Sequence, residues 1–281
     1  MRYANGYGFF NQRILTKENA QYELSAESAA FLNRHSPAFF GGTIDFLLSP
    51  MQRLGFDDLT DAVKKGGATE TDNAALSPDS QMWVKFARGM MPMMMPPAQM
   101  MAENIGFEPN RKLKVLDIAA GHGIFGINVA QKYSNAEIYA VDWANVLQVA
   151  TENAVKFGVS ARHHLIEGSA FDVEYGDGYD VVLLTNFLHH FDKRTCEVLL
   201  RKIHKSLADN GKVLTLEFIP NDDRVSPPME ATFSLVMLAG TPAGDAYTFT
   251  EHKEMFENAG FSQNEHIPLT PLPQHLIVSM K

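Results

Sequence analysis

Two hydrophobic periods run through the second half of this chain. Short apolar runs of strand length fall at Leu113 to Ile118, Glu137 to Val141, His163 to Ile166, Tyr179 to Thr185, Lys212 to Phe218, Asn264 to Ile267 and His275 to Ser279. Between them lie stretches with the helical spacing of apolar residues: Gly123 to Tyr133, Ala144 to Phe157, Lys193 to Ala208 and Thr250 to Ala259. In the third of these, Leu199, Ile203 and Leu207 recur every four residues, and Asn210-Gly211 is expected to supply the stop. Strand alternating with helix predicts a mostly parallel, seven-stranded α/β sheet covered on both faces. The last two strands are joined only by Pro268 to Gln274, too short for a helical crossover, so they should pair antiparallel.

The first hundred residues read differently. Ile14 to Ser25 has a turn-like Lys17-Glu18-Asn19 between extended arms and predicts a hairpin, followed by a short helix at Ala26 to Asn33. Pro37 and Gly41-Gly42 interrupt the chain, a helical pattern resumes over Thr43 to Gly55, and Gly66-Gly67 to Pro78 is polar enough for a loop. Within Ser80 to Ile105, the seven methionines from Met90 to Met101 crowd around Pro92, Pro96 and Pro97. The prolines are expected to break this stretch into two helical pieces. Its methionines suit either an adaptable wall for an apolar ligand or packing between domains or subunits.

With 281 residues, 45% of them hydrophobic, the chain is long enough for one large domain or one domain with a smaller partner. A net charge of −9 with no long basic run offers nucleic acid or an anionic membrane no electrostatic footprint. The single cysteine, Cys196, excludes an internal disulfide framework and fits a reducing compartment. The first residues lack a basic-then-apolar leader, and no apolar run approaches the roughly 18 residues of a membrane span. A cytoplasmic protein is the expectation.

Candidate chemistry centres on KLKVLDIAAGHGIFG, Lys112 to Gly126, where a strand ends in an acid and opens through glycines into a helix. Gly121 to Gly126 spells G-x-G-x-x-G, and Asp142 ends the next strand, which is the setting of a dinucleotide fingerprint. Asp117 argues for a different ligand. A carboxylate beside the crevice repels a pyrophosphate but suits a cation such as the ammonium and sulfonium of S-adenosylmethionine, whose ribose hydroxyls Asp142 can accept. The plainer alternative for Asp117 is a strand-end acid that caps the helix. An NAD-dependent oxidoreductase and a non-catalytic cofactor-binding subunit remain open on the residues alone.

VLDIAAGHG, AVDWANVLQVATENA, IEGSAFD, VVLLTNFLHHFD and GKVLTLEF resemble the successive motifs of class I S-adenosylmethionine-dependent methyltransferases. The order of LHHF, Cys196 and Glu217 resembles more closely the plant-type small-molecule O-methyltransferases and their bacterial relatives. The resemblance implies a Rossmann-like sheet over residues 109–281. It implies for residues 1–108 a partial winged-helix-like and helical region that serves as dimerisation element and substrate lid, with the chain beginning inside the family's longer N-terminal domain. Its motifs place the cofactor at Asp117, Ala119, Gly121, Gly123, Asp142, Trp143, Ser169, Ala170, Phe171 and Asn186. Ser169 stands where the family has an adenine-contacting Asp.

The resemblance also makes His189 the general base. An imidazole with a pKa near 6.5 can remove the proton of a phenol, whose pKa near 10 makes it a poor nucleophile at neutral pH. Glu217 matches the first carboxylate that flanks that base, whereas Thr248-Phe249-Thr250 stands where the family has Glu-Arg-Thr and a second one. His190 is expected to point away from His189 if the backbone is extended, so the pair forms no metal site, and no HExxH or paired C-x-x-C spacing occurs. Met229 to Gly240 resembles the family's substrate-lining helix. With the methionine-rich stretch it implies an apolar pocket, walled by Met90, Met94, Met101, Phe233 and Met237, for an aromatic or polyketide-like hydroxyl compound. Methylation at carbon or nitrogen is the alternative outcome, and a homodimer is the expected assembly.

Overall fold

The structure, a computed structural model, describes residues 15–18, 21–36, 38–49, 56–69 and 81–281. Strands β1 (Leu15–Glu18) and β2 (Gln21–Leu24) form an antiparallel hairpin, and helices α1 (Ala26–Leu32), α2 (Gly41–Leu47), α3 (Leu59–Lys65) and α4 (Gln81–Glu103) follow. Then come β3 (Leu113–Ile118), α5 (Ile124–Lys132), β4 (Ala136–Asp142), α6 (Ala144–Lys156), β5 (His163–Glu167) and β6 (Tyr179–Thr185). The chain continues through α7 (Lys193–Ser206), β7 (Leu207–Phe218), α8 (Pro228–Gly240), α9 (Phe249–Asn258), β8 (Ser262–Pro268) and β9 (Gln274–Met280).

Strands β3 to β9 make one seven-stranded sheet in the order β5-β4-β3-β6-β7-β9-β8, parallel except where β9 pairs antiparallel with β7 and β8. The expected α/β sheet with an antiparallel C-terminal strand is therefore the fold. Buried on both faces, its central strands alternate sides. Val115 and Val181 join a core with Met101, Ile105 and Ile127 of the α4 and α5 layer. Leu116 and Val182 join another with Leu199, Ile203 and Phe256 of the α7 and α9 layer. Residues leaving β3, β4, β6 and β7 all emerge at one carboxyl edge, where open parallel sheets bind ligands.

Five local expectations need correction. The methionine-rich stretch is one helix, α4, with Pro92, Pro96 and Pro97 inside it. Each proline forfeits one helical hydrogen bond, and burial of Ala87, Met94, Ala98 and Met101 against neighbouring helices outweighs that loss. Gly41-Gly42 starts α2 rather than interrupting the chain. A Cβ on Gly89 would lie 2.7 Å from the Gly42 carbonyl oxygen, so glycine lets α2 and α4 cross closely, and Thr43 Oγ1 donates to the Gly89 carbonyl. The helix expected over Thr43 to Gly55 ends at Leu47, with Leu48 N–H bonded back to the Ile44 carbonyl, and residues 50–55 lie outside the described residues.

Asn210-Gly211 does not stop α7, which ends at Ser206. Both lie inside β7, at a register shift opposite Tyr179 and Val181, where a Cβ on Gly211 would come 2.7 Å from the Tyr179 carbonyl oxygen. In the hairpin, Lys17 and Glu18 of the expected turn are instead paired in the strand with Tyr22 and Gln21, and Asn19 lies outside the described residues.

Candidate active site

At the carboxyl edge of β3, β4 and β6 lies a cavity of about 340 Å³. Its floor is the β3–α5 loop, with Ala119 and Gly121 held at φ of +54° and +57°. This backbone leaves the loop amides open to a ligand. Gly123, at φ +72°, is not part of the cavity wall. A Cβ there would meet the Ala150 Cβ at 2.9 Å, so this glycine serves the close approach of α5 and α6.

Asp142 and Trp143 form one wall. Both carboxylate oxygens of Asp142 accept main-chain hydrogen bonds, Oδ2 from Gly121 N–H at 2.8 Å and Oδ1 from Trp143 N–H at 2.7 Å. Burial nevertheless raises its pKa to about 6, against the pull of those two donors. Each oxygen keeps acceptor capacity on its cavity side.

Asp117 sits one layer deeper. It is fully buried and absent from the cavity wall, and its Oδ2 caps α5 by accepting from Gly126 N–H at 3.0 Å. Burial above all, with the nearby charge of Asp142 adding to it, raises its pKa to about 7 against that hydrogen bond. Its Oδ1 has no hydrogen-bond partner among the described residues. The helix-capping alternative thus describes what Asp117 does in the fold.

Ser169, Ala170 and Phe171 line the far wall, and Ser169 Oγ accepts from Phe171 N–H at 3.2 Å. Asn186 leaves β6 with φ +50°, and its own N–H donates to the Leu216 carbonyl at 2.8 Å. Its buried Oδ1 has no partner among the described residues, while Nδ2 lies 3.6 Å from Met94 Sδ. Trp83, Phe86 and Met94 of α4 also line the cavity.

Of the five residues expected to wall the substrate pocket, Met94 alone lines this cavity. Met90 and Met101 are buried in the core with β3 and α5. Met237 is buried on α8, and Phe233 packs on His189 instead.

Leu188 to His190 forms a 3₁₀ turn, so the two histidines are not arranged as on an extended strand. Their rings lie 4.4 Å apart, centroid to centroid. His189 turns inward, and its Nδ1 meets Glu217 Oε2 at 2.5 Å. The other oxygen of Glu217 accepts from Phe187 N–H and Leu188 N–H at 3.0 and 2.9 Å. A carboxylate accepting all three bonds requires the proton of neutral His189 on Nδ1, leaving Nε2 with a free lone pair. The edge of Phe233 packs on the imidazole at 4.9 Å, and Phe233 stacks on Phe218 at 4.1 Å.

His190, by contrast, lines the cavity edge-on to Trp83 at 5.6 Å, and burial, followed by the neighbouring His189, keeps its pKa well below the ordinary imidazole value. No His, Cys, Asp and Glu grouping among the described residues is suited to a metal ion. Thr248, where the second carboxylate is absent, caps α9 through a reciprocal bond with Glu251.

Sequence inspection missed His122. It sits between the two loop glycines, lines the cavity, and burial lowers its pKa to about 4. Its Nδ1 accepts from Ile124 N–H at 3.2 Å. The only available signal was its place in the x position of G-x-G.

The family model described as an O-methyltransferase domain matches residues 56–262, which take in every element that builds this site. The chain belongs to that family. A solved protein from Nostoc punctiforme, assigned as an O-methyltransferase, is 56% identical, with 95% of this chain and 80% of that one covered at a TM-score of 0.86. The 3-hydroxy-5-methyl-1-naphthoate 3-O-methyltransferase of Streptomyces sahachiroi is 25% identical over 89% of this chain and 72% of that protein.

The S-adenosyl-L-methionine-dependent methyl transferase PigF of a Serratia strain is 30% identical over 59% of this chain, a match spanning 48% of PigF. A solved structure of PigF with SAH shares the fold at a TM-score of 0.80 and 23% identity, with 95% of this chain and 80% of that one covered. No described helix of this O-methyltransferase family member is long and apolar enough to cross a membrane.

Proposed function

We propose that this protein transfers the methyl group of S-adenosylmethionine to a hydroxyl of a small aromatic or polyketide-like molecule, with His189 as general base. The observation that carries the proposal is the His189 Nδ1–Glu217 Oε2 contact of 2.5 Å, set beside a polar-floored, aromatic-walled cavity at the carboxyl edge of the sheet.

The residues present fit the cofactor. Asp142 offers two acceptor oxygens for a ribose diol, Asn186 Oδ1 is a buried acceptor without a partner among the described residues, and Trp143 and Phe171 supply flat apolar faces for an adenine. Ala119 and Gly121 expose main chain to the methionyl part. The charge of buried Asp117 favours a cation above it. When bound, S-adenosylmethionine supplies a methyl group made electrophilic by a sulfonium.

The chain's own work is alignment and removal of one proton. Glu217 fixes the His189 tautomer, Nε2 takes the hydroxyl proton, and the buried carboxylate stabilises the resulting imidazolium. His190, held neutral, adds no competing positive charge to the site. Trp83, Phe86 and Met94 exclude water from the cavity.

Residues 1–108 belong to the same proposal as a lid and dimerisation region of a cytoplasmic homodimer. Its support is α4 on the cavity wall and exposed Leu47, Leu48 and Val63 on the helices before it.

The test is transfer of labelled methyl from S-adenosylmethionine to a panel of phenols, with calorimetry of S-adenosylhomocysteine binding and light scattering of the free protein. Binding together with label on oxygen is expected. Failure to bind sinks the cofactor assignment, unchanged turnover in His189→Ala sinks the base, and a monomer mass sinks the dimer.

A further inference from the structure

Outside the His189–Glu217 pair, the antiparallel edge of the sheet carries a second set of titratable groups that methyl transfer does not use. His275 of β9 is in register with Glu217 of β7, so their side chains share one face of the sheet. His275 Nδ1 lies 2.7 Å from His266 Nε2 on β8, and His275 Nε2 lies 3.6 Å from Glu230 Oε1 on α8. Glu230 is 6% exposed, an uncommon position for a carboxylate in the first turn of a helix. The ring of Phe249, first residue of α9, stacks on His266 at 4.7 Å.

The hydrogen positions follow from the partners. With the Nε2–H of His275 turned toward the Glu230 carboxylate, an electrostatic contact at 3.6 Å rather than a hydrogen bond, neutral His275 has a lone pair on Nδ1, which accepts from His266 Nε2–H. One arrangement of protons satisfies the whole chain.

Its mechanical sense lies in the helix spacing. Glu230, Phe233 and Met237 stand three and seven residues apart and share one face of α8. One turn after the carboxylate held by His275, Phe233 holds the His189 imidazole and stacks on Phe218 of β7.

We propose that Glu230, His275 and His266 are positioning residues for the candidate base: they anchor the first turn of α8 to the reversed strand β9, so that Phe233 keeps the His189 ring against Glu217. The inference rests on the proposed role of His189. It is independent of the cofactor assignment.

The groups facing His275 are Glu217 on β7, His266 on β8 and Glu230 on α8, and buried His252 on α9, whose ring nitrogens have no hydrogen-bond partner among the described residues, interacts electrostatically with Glu217 and His266. Burial holds His275 and His266 below the ordinary imidazole range, with Glu230 pulling His275 back part of the way. One added proton is accommodated by a change of tautomer. A second puts two N–H groups face to face and breaks the chain, so the anchor weakens in acid.

The experiment compares Glu230→Gln, Glu230→Ala and His275→Phe in the full chain. The first readout is the far-downfield proton resonance of the His189 Nδ1–H bond to Glu217, assigned by its loss in His189→Asn. It should persist in Glu230→Gln, whose amide oxygen keeps a polar partner in front of His275 Nε2, and broaden or disappear in Glu230→Ala and His275→Phe. The second readout is methyl transfer. An ångström of misplacement should lower kcat about tenfold or more in the two disruptive variants, with S-adenosylhomocysteine affinity unchanged and Glu230→Gln close to the parent. An unperturbed resonance in all three variants overturns the inference, whether or not an acceptor has been found. Equal loss in Glu230→Gln and Glu230→Ala, tracking loss of folded protein, overturns it as well. Absence of methyl transfer in the parent protein with the resonance pattern intact overturns the proposed function instead.

Discussion

Asp142 offers the sharpest test of the cavity. Its two oxygens already accept from Gly121 and Trp143 N–H, so the carboxylate is fixed in place and any ligand diol meets it without reorganisation. Two hydrogen bonds to a charged acceptor contribute about 1.5–3 kcal/mol each, so Asp142→Asn should cost about 3–6 kcal/mol, or roughly 10²–10⁴ in Kd. The amide also turns an NH₂ toward one of the two main-chain donors.

The pKa of about 6 supplies an independent check in the unmutated carboxylate. If only the ionised form binds, apparent Kd scales as 1 + 10^(pKa − pH), about 11 at pH 5 and about 1.1 at pH 7, a tenfold weakening on acidification. Calorimetric titration with S-adenosylhomocysteine at both pH values reads it, and repeating it in Asp117→Asn removes the titration of the deeper acid. An Asp142→Asn protein that binds within threefold of the parent, or an affinity flat from pH 7 to 5, refutes the assignment.

The buried Asp117 predicts a stability slope of definite sign. Its folded pKa of about 7 exceeds the unfolded value of 3.8, so the folded state holds the proton more tightly. That contribution is full below the unfolded value and is lost as pH rises to about 7, a decline of about 4 kcal/mol that flattens above it. Asp117→Asn should flatten this part of the denaturation profile, and a parent profile without the decline sinks the pKa. His189→Ala should lower kcat by roughly 10²–10⁴ and Glu217→Gln by a comparable or smaller factor, with cofactor affinity unchanged, as single-turnover methyl transfer would show. Gly126→Ala should destabilise by about 1–3 kcal/mol in chemical denaturation, because its Cβ would lie 2.6 Å from Ile138 Cγ2 and 2.9 Å from Asp117 Oδ2.

The sheet was legible because strands buried on both faces need apolar residues at nearly every position, and Leu113–Ile118 and Tyr179–Thr185 have the bounds that their apolar runs predict. Helix α4 was misread for the complementary reason. Proline's effect is local, whereas the packing that overrides it comes from α2, α5 and α6, residues that no window around Pro92 contains. Asn210-Gly211 misled in the same way. The glycine answers to a carbonyl on β6 rather than to the helix before it.

The site divides along a similar line. Asp142 and Asn186 sit at strand ends, and the period of the strands together with the family's motifs sufficed to place them on the cavity. Which of two adjacent histidines faces the cavity depends on a 3₁₀ turn of three residues, for which the sequence has no period to display. Asp117 carries a further distinction. The cap that starts α5 and the charge proposed to favour a cation belong to one carboxylate, whose Oδ2 holds Gly126 while Oδ1 has no partner among the described residues. Capping and cation selection were alternatives in the sequence because a linear pattern assigns one role per residue. In three dimensions the cap fixes the carboxylate in place, so on the proposed reading one residue can serve both roles.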